Sequence, residues 1–186
     1  MMSGFFVGRR KRARGLSAER AFTLVEIIIV IVVIGILSSI AVAVYLKVTD
    51  KSKDDRRIAD MRAMELALDA YYDAHDVYPS SDNQGPGGWD STSDGDIAHL
   101  LITEGYLKKD ALDPSDNTDA TGGYRYYRYN AGAYGADASR GAFYVLGVRK
   151  TEASGYAAYP GSPGWSTPGR NWQGEFSWVT GRFEDH

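Results

Sequence analysis

The chain has 186 residues, 44% of them hydrophobic, no cysteine and a formal charge of −3, which allows one modest domain with appendages. The missing cysteine excludes a disulfide framework, a thiolate metal site and a cysteine nucleophile. The charge is split: residues 1–21 hold Arg9, Arg10, Lys11, Arg12, Arg14 and Arg20 against Glu19, a balance of +5 that leaves −8 for residues 22–186. A basic leader on an acidic body argues against nucleic acid as the body's partner.

Residues 27–46 (IIIVIVVIGILSSIAVAVYL) carry no charge over twenty positions. At helical rise they span about 30 Å, the thickness of a bilayer's hydrocarbon core. The core helix of a small domain is not apolar on every face, so this run reads as membrane-spanning. The basic cluster at 9–14 stays cytoplasmic by the positive-inside rule, and the body is exported. From Lys47 to His75 there is neither Pro nor Gly, and the apolar positions narrow to a helical stripe: Ile58, Met61, Leu68 and Tyr72 follow one face together with Glu65, with Met64 and Tyr71 beside it. Lys51/Asp55 and Arg56/Asp60 sit four apart on the polar side. Tyr78-Pro79 ends the pattern. One helix is expected from Phe22 to about Asp76, roughly 80 Å long.

Beyond Pro79 the chain is loop-rich, with all six prolines and 17 of the 21 glycines at or after that position. Residues 80–95 are turn formers throughout. A short helix is expected over 96–102, capped by Asp94 or Asp96 and ended at Gly105. Three strands follow at 124–130, 142–149 and 175–183, each rich in aromatic or β-branched residues. Laid antiparallel across the Met61/Leu68/Tyr72 stripe, they make a small α+β head on a long amino-terminal helix. The expected divisions are a leader (1–21), a membrane half of the helix (22–46), an amphipathic half (47–78) and the head (79–186).

Glu26 is a carboxylate at the mouth of the apolar run. Inside a membrane such a charge costs on the order of 2.5–3.5 kcal/mol and points to function. A headgroup position, or interaction with the helix dipole, is the bland account. The stretch Arg20-Ala21-Phe22-Thr23-Leu24-Val25-Glu26, between a basic leader and the apolar run, closely resembles the cleavage and methylation signal of type IV pilins and type II secretion pseudopilins. The resemblance implies that a membrane peptidase cuts after Ala21 and methylates the new amine on Phe22. It also implies that Glu26 neutralises that amine on a neighbouring subunit during assembly. A mispaired subunit would leave two buried charges uncompensated, so Glu26 sets register more than affinity. Two features depart from the family pattern: Ala21 replaces the usual glycine, and the outer half of the span has Ala41-Val42-Ala43 in place of a helix-breaking proline. Gly35 is then the intrinsic weak point of the span.

The resemblance implies a structural subunit of a type IV pilus-like filament. Its expected partners are copies of itself, the prepilin peptidase and assembly platform proteins. The chain is stored as a single-pass protein of the cytoplasmic membrane, amino terminus inside, and then joins a filament at the cell surface. A pseudopilin of a secretion or DNA-uptake machine is the alternative within the family. Outside it stand a membrane-anchored surface-binding domain and a secreted protein cut after Ala43. Many pilins close the head with a disulfide, which this chain cannot do.

Candidate chemistry in the head is sparse. Asp90, Asp94 and Asp96, and Asp113, Asp116, Asn117 and Asp119, are oxygen-rich loops without EF-hand spacing. Major pseudopilins carry a calcium site in the carboxy-terminal loop, but residues 151–174 here hold only Glu152, so no metal or other cofactor is assigned. With His75, His99 and His186 as the only histidines, no catalytic constellation assembles and no enzyme is expected. Tyr156, Tyr159, Trp165 and Trp172 lie among Gly, Pro and Ser, and are expected to fold back over the sheet more readily than to form an adhesive face. Arg125 and Arg128 among the tyrosines of 124–130 are the one set suited to stacking on single-stranded DNA. In an acidic body, nucleic-acid binding is not expected.

Overall fold

A computed structural model describes residues 22–81, 86–91, 99–108, 111–115 and 123–185. Ala21, Asp94, Asp96, Asp116, Asn117, Asp119 and His186 lie outside the described residues, as does the side chain of His99. The chain divides at Ala43/Val44 into two units.

Helix α1 runs Leu24–His75, within two residues of expectation at either end. Asp76 stops it by turning left-handed (φ 55°), with its N–H donated back to Tyr72 O at 2.8 Å; a short polar side chain tolerates this geometry better than most. In the first unit every described side chain is exposed. The helix continues through Gly35, and Ser39 Oγ donates to Ile36 O at 2.7 Å.

In the second unit the stem buries Asp54, Arg57, Met61, Met64, Ala67 and Leu68. Ile58, Tyr71 and Tyr72 pack half-buried beside them, so the expected stripe is the docking face. The polar-side pairs also form, Lys51–Asp55 at 3.9 Å and Arg56–Asp60 at 3.8 Å. The short helix α2 spans His99–Thr103, and Gly105 follows in the left-handed region (φ 84°).

The main sheet has four strands where three were expected, in the order β1-β2-β3-β6. They are β1 (Asp90–Ser91), β2 (Tyr124–Tyr129), β3 (Phe143–Val148) and β6 (Trp178–Phe183), all antiparallel. A two-residue hairpin of β4 (Ser166–Thr167) and β5 (Arg170–Asn171) lies between β3 and β6 in the chain. The extra strand falls among the turn formers. Asp90 and Ser91 pair with Tyr126 and Arg125, and covering an open edge needs only backbone groups. β6 begins later than 175 because a 3-10 turn at Trp172–Gly174 takes the N–H groups of Glu175 and Phe176 onto Trp172 O.

Strand alternation splits the core in two. Tyr124, Tyr126, Tyr144, Leu146, Val148 and Trp178 meet Met61, Met64 and Leu68 on the stem side. Tyr129, Phe143, Val145, Val179 and Phe183 face the other way, under Trp89, Trp165, Trp172 and Phe176. The aromatics of the 151–174 segment thus do fold back, Trp172 completely, while Tyr156 stays 50% exposed. Polar contacts peg the head to the stem at successive turns of α1. Tyr124 Oη donates to Asp60 at 2.9 Å, Thr180 Oγ1 to Glu65 at 2.8 Å and Arg182 to Asp69 at 2.7 Å, and Tyr72 Oη donates to the carbonyl of Glu184. Burial, and then the charge of Asp60, push the Tyr124 hydroxyl's pKa up and keep it a donor.

Candidate assembly and processing site

Helix α1 opens with a reciprocal cap. Thr23 Oγ1 accepts from Glu26 N–H at 3.2 Å, and Glu26 Oε2 accepts from Thr23 N–H at 3.2 Å. This is a capping box, which satisfies two of the helix's orphan donors. The bland expectation for Glu26 therefore has a definite form. Thr23 is the residue sequence reasoning missed, although Thr-x-x-Glu ahead of an apolar run is its signature. Phe22 precedes the cap and is 76% exposed. It lies four residues, about one helical turn, from Glu26. Ala21 lies outside the described residues, so the structure brings two of the three sequence-predicted site residues to the same helix end.

The cap uses Glu26 Oε2, and Oε1 has no hydrogen bond among the described residues. The side chain is exposed. A neighbouring cation can reach it without dismantling the helix start. Past Glu26, α1 holds the span long and apolar enough to cross a bilayer, with none of that window buried. Such a surface needs lipid or other helices around it.

A second cluster, not foreseen from sequence, lies on the stem. Arg57 is 1% exposed and reaches Asp54 at 2.6 Å, Asp113 through Nε at 3.1 Å and Nη2 at 2.9 Å, Ser115 at 2.6 Å and Glu152 at 3.3 Å. Asp54 in turn accepts the backbone N–H groups of Glu152 and Ala153 at 2.9 and 2.8 Å. Burial works against the Arg57 cation, but Asp113, then Asp54 and Glu152, hold its pKa above the ordinary value. The hydrogen bond from Ser115 Oγ leads the influences that lower the Glu152 carboxyl, with Arg57 adding to it against burial. Asp113, one of the oxygen-rich loop residues singled out in the sequence, is a partner of this arginine. Three carboxylates converge here, but on a guanidinium; among the described residues no group of three His, Asp or Glu side chains is placed to hold a metal ion.

The candidate stacking strand is closed off. Arg125 is 1% exposed and donates to Tyr124 O at 3.0 Å, and Arg128 grips both oxygens of Glu184 at 2.7 and 3.0 Å. Tyr124, Tyr126 and Tyr129 are buried. His75 stacks on Tyr71 at 4.0 Å and contacts its carbonyl.

The family model described as the prokaryotic N-terminal methylation motif matches residues 16–42, enclosing Ala21, Phe22, the capping box and nearly all of the exposed apolar unit. A type II secretion system core protein G of Escherichia coli (strain K12) is 33% identical over 124 residues, 66% of this chain and 80% of that protein. The chain belongs to the type IV pilin and pseudopilin family. Another core protein G, from Pseudomonas aeruginosa, is 30% identical over 111 residues, 53% of this chain and 70% of that one. Fimbrial protein Q of Moraxella bovis is 40% identical over 55 residues, 30% of this chain and 35% of its own length. No solved structure matches the pilin-family chain significantly. The match of 124 residues is too long for α1 and its leader together, so the pilin-family likeness takes in part of the head.

Proposed function

We propose that this chain is a structural, non-catalytic subunit of a type IV pilus-like filament of the pseudopilus kind. In this reading it is held in the cytoplasmic membrane by residues 27–46 with the leader inside. It is cut after Ala21 by a prepilin peptidase and polymerised through α1. The observation that carries the reading is the exposed apolar helix with a carboxylate one turn from the new amino terminus. In lipid the helix is solvated by acyl chains; in a filament the same surface is covered by its copies. Glu26 Oε1 then takes a neighbour's Phe22 amine. The likeness to core protein G beyond the helix favours the secretion pseudopilus. The fimbrial match favours a pilus proper, with the same processing and packing.

The capping box sharpens the mutational test. Glu26→Ala removes both the charge and the cap, and loss of the cap alone weakens a helix start by about 1 kcal/mol. Glu26→Gln keeps a side chain that caps at this position but removes the charge. The expected result for Glu26→Gln is normal membrane insertion, normal cleavage and loss of filaments. A surface-binding domain on an anchor keeps its activity with either change. Filament formation by Glu26→Gln at the wild-type level refutes the charge-pairing role.

A further inference from the structure

The turn following β3 is fastened low on the stem. Val148 pairs with Trp178, and Ser177 N–H donates to both Val148 O and Arg149 O, which closes this end of the sheet. Thr151 and Gly155 then bridge each other, and Asp54 holds the turn through the N–H groups of Glu152 and Ala153. From there β6 climbs α1, with Thr180 at Glu65 and Arg182 at Asp69. The turn is thus pinned seven residues past Lys47, the first charge after the apolar run. Seven residues rise about 10 Å. The polar layer outside the hydrocarbon core is about 5–7 Å thick, so the pinned backbone lies about 3–5 Å beyond it, within the length of an extended tyrosine or lysine side chain.

The exposed surface of the turn suits that depth. Tyr156 is 50% exposed with Lys150 Nζ 5.9 Å from its ring centre, and Ala157 and Ala158 are exposed beside it. On the stem, Tyr45 is 70% exposed at the top of the apolar run. Tyrosine and lysine keep an apolar body against lipid and a polar tip in water. The acids nearby are largely matched: Asp54 and Asp113 by Arg57, Glu152 by Lys53 and Asp55 by Lys51. Among the described residues, Lys47 and Lys150 then outnumber Asp50.

We propose that residues 150–158 form a lipid-contact surface. While the subunit is stored in the membrane, Tyr156 and Lys150 rest on anionic phospholipid headgroups and hold the lower edge of the head there. The proposal rests on the membrane-storage reading, and the test separates the two. The chain has no cysteine, so single cysteines give clean labels: Leu37→Cys in the apolar run, Ala157→Cys on the turn and Ala131→Cys at the opposite end of the sheet. The full chain is reconstituted in vesicles of phosphatidylglycerol and phosphatidylethanolamine, or of phosphatidylcholine alone, with a quencher tethered to headgroups. The label at 157 is expected to be quenched several-fold more than that at 131 in the anionic vesicles, and less in the zwitterionic ones. Adding Lys150→Gln lowers the contact about fivefold, the factor expected for one lysine near an anionic surface. Equal quenching at 157 and 131, with the label at 37 shielded from aqueous reagents, overturns the proposal and leaves membrane storage standing. Shielding of 157 only in assembled filaments also overturns it, in favour of a second copy as the partner. A label at 37 open to aqueous reagents overturns membrane storage itself.

Discussion

Arg57 holds three separate stretches of chain with one side chain: its own helix at Asp54, the 111–115 loop at Asp113 and the turn after β3 at Glu152. A guanidinium suits this better than an ammonium because its donors lie in a fixed fork. In a head without disulfides, it is the tie among the described residues that gathers the most carboxylates, beside the Asp69–Arg182 and Arg128–Glu184 pairs. Removing it leaves the carboxylates of Asp54 and Asp113, both almost fully buried, with backbone N–H donors but no cation. Arg57→Ala should therefore cost about 3–5 kcal/mol, the range for breaking a buried pair from one side, read as a lower denaturant midpoint. Arg57→Lys keeps the charge and should fall between the two. The glycines under the outer aromatics give a second residue-scale test. A Cβ on Gly181 would lie 2.5 Å from the Trp165 ring and 2.6 Å from Tyr144 O, and the carbonyl cannot rotate away. Gly181→Ala is expected to destabilise the head by about 1–3 kcal/mol through overpacking. Gly174→Ala meets nothing within 4 Å and should leave the thermal midpoint near wild type.

Two connecting elements, the turn after β3 and the β4–β5 hairpin, owe part of their fastening to carboxylates. Glu175 takes both Nε and Nη2 of Arg170 at 2.8 Å, and Arg170 in turn lies over Trp172 and Tyr134 at 5.1 and 5.0 Å. The Arg170 hydrogen bond lowers the Glu175 carboxyl from its ordinary 4.5, as Ser115 and Arg57 lower Glu152. A carboxyl lowered in the folded state stabilises it above the ordinary value, and that contribution fades as pH falls through the folded value. The thermal midpoint should hold steady near neutrality and drop below about pH 4.5. Glu152→Gln and Glu175→Gln should each flatten that drop while lowering the plateau; an unchanged profile would remove these two acids from the account. The elements themselves differ in how far their residues disclose them. The stem stripe from Ile58 to Tyr72 is legible because helical period and burial coincide there. Strands β2, β3 and β6 are legible from dense aromatics between glycines. Strand β1 is not, since Asp90 and Ser91 pair through backbone alone. Nor is the Arg57 cluster: Asp54 and Arg57 look like two more charges on a polar face, and their partners come 56 and 95 residues later. At the helix start the apolar run and Glu26 stand out, while Thr23 is masked by its commonness.

At the scale of the whole molecule, the proposed cut after Ala21 would change what the chain is. The full chain carries −3, but the +5 belongs to residues 1–21, so a subunit beginning at Phe22 would carry −8 before its new amine is counted. In the proposed reading the charges lost are the ones that hold the amino terminus in the cytoplasm. Cleavage there would leave the helix end with the Phe22 amine and Glu26, opposite charges about one turn apart. Within one subunit Glu26 is already engaged in the cap, and an amine in apolar surroundings is costly without a partner. In the proposed filament an offset copy would supply that partner through Oε1, so cleavage itself would create the demand for assembly. Intact mass of membrane-purified protein should correspond to a chain starting at Phe22; a start at Val44 or Met1 would remove this account. Ala21 adds a graded arm. If the small residue before the cut limits processing, Ala21→Gly should raise the cleaved fraction without moving the cut, and an Ala21→Leu precursor should accumulate uncleaved at −3 and form no filaments. Cleavage of Ala21→Leu at the wild-type rate would show that the peptidase reads the helix start at Phe22–Glu26 and not the residue before it.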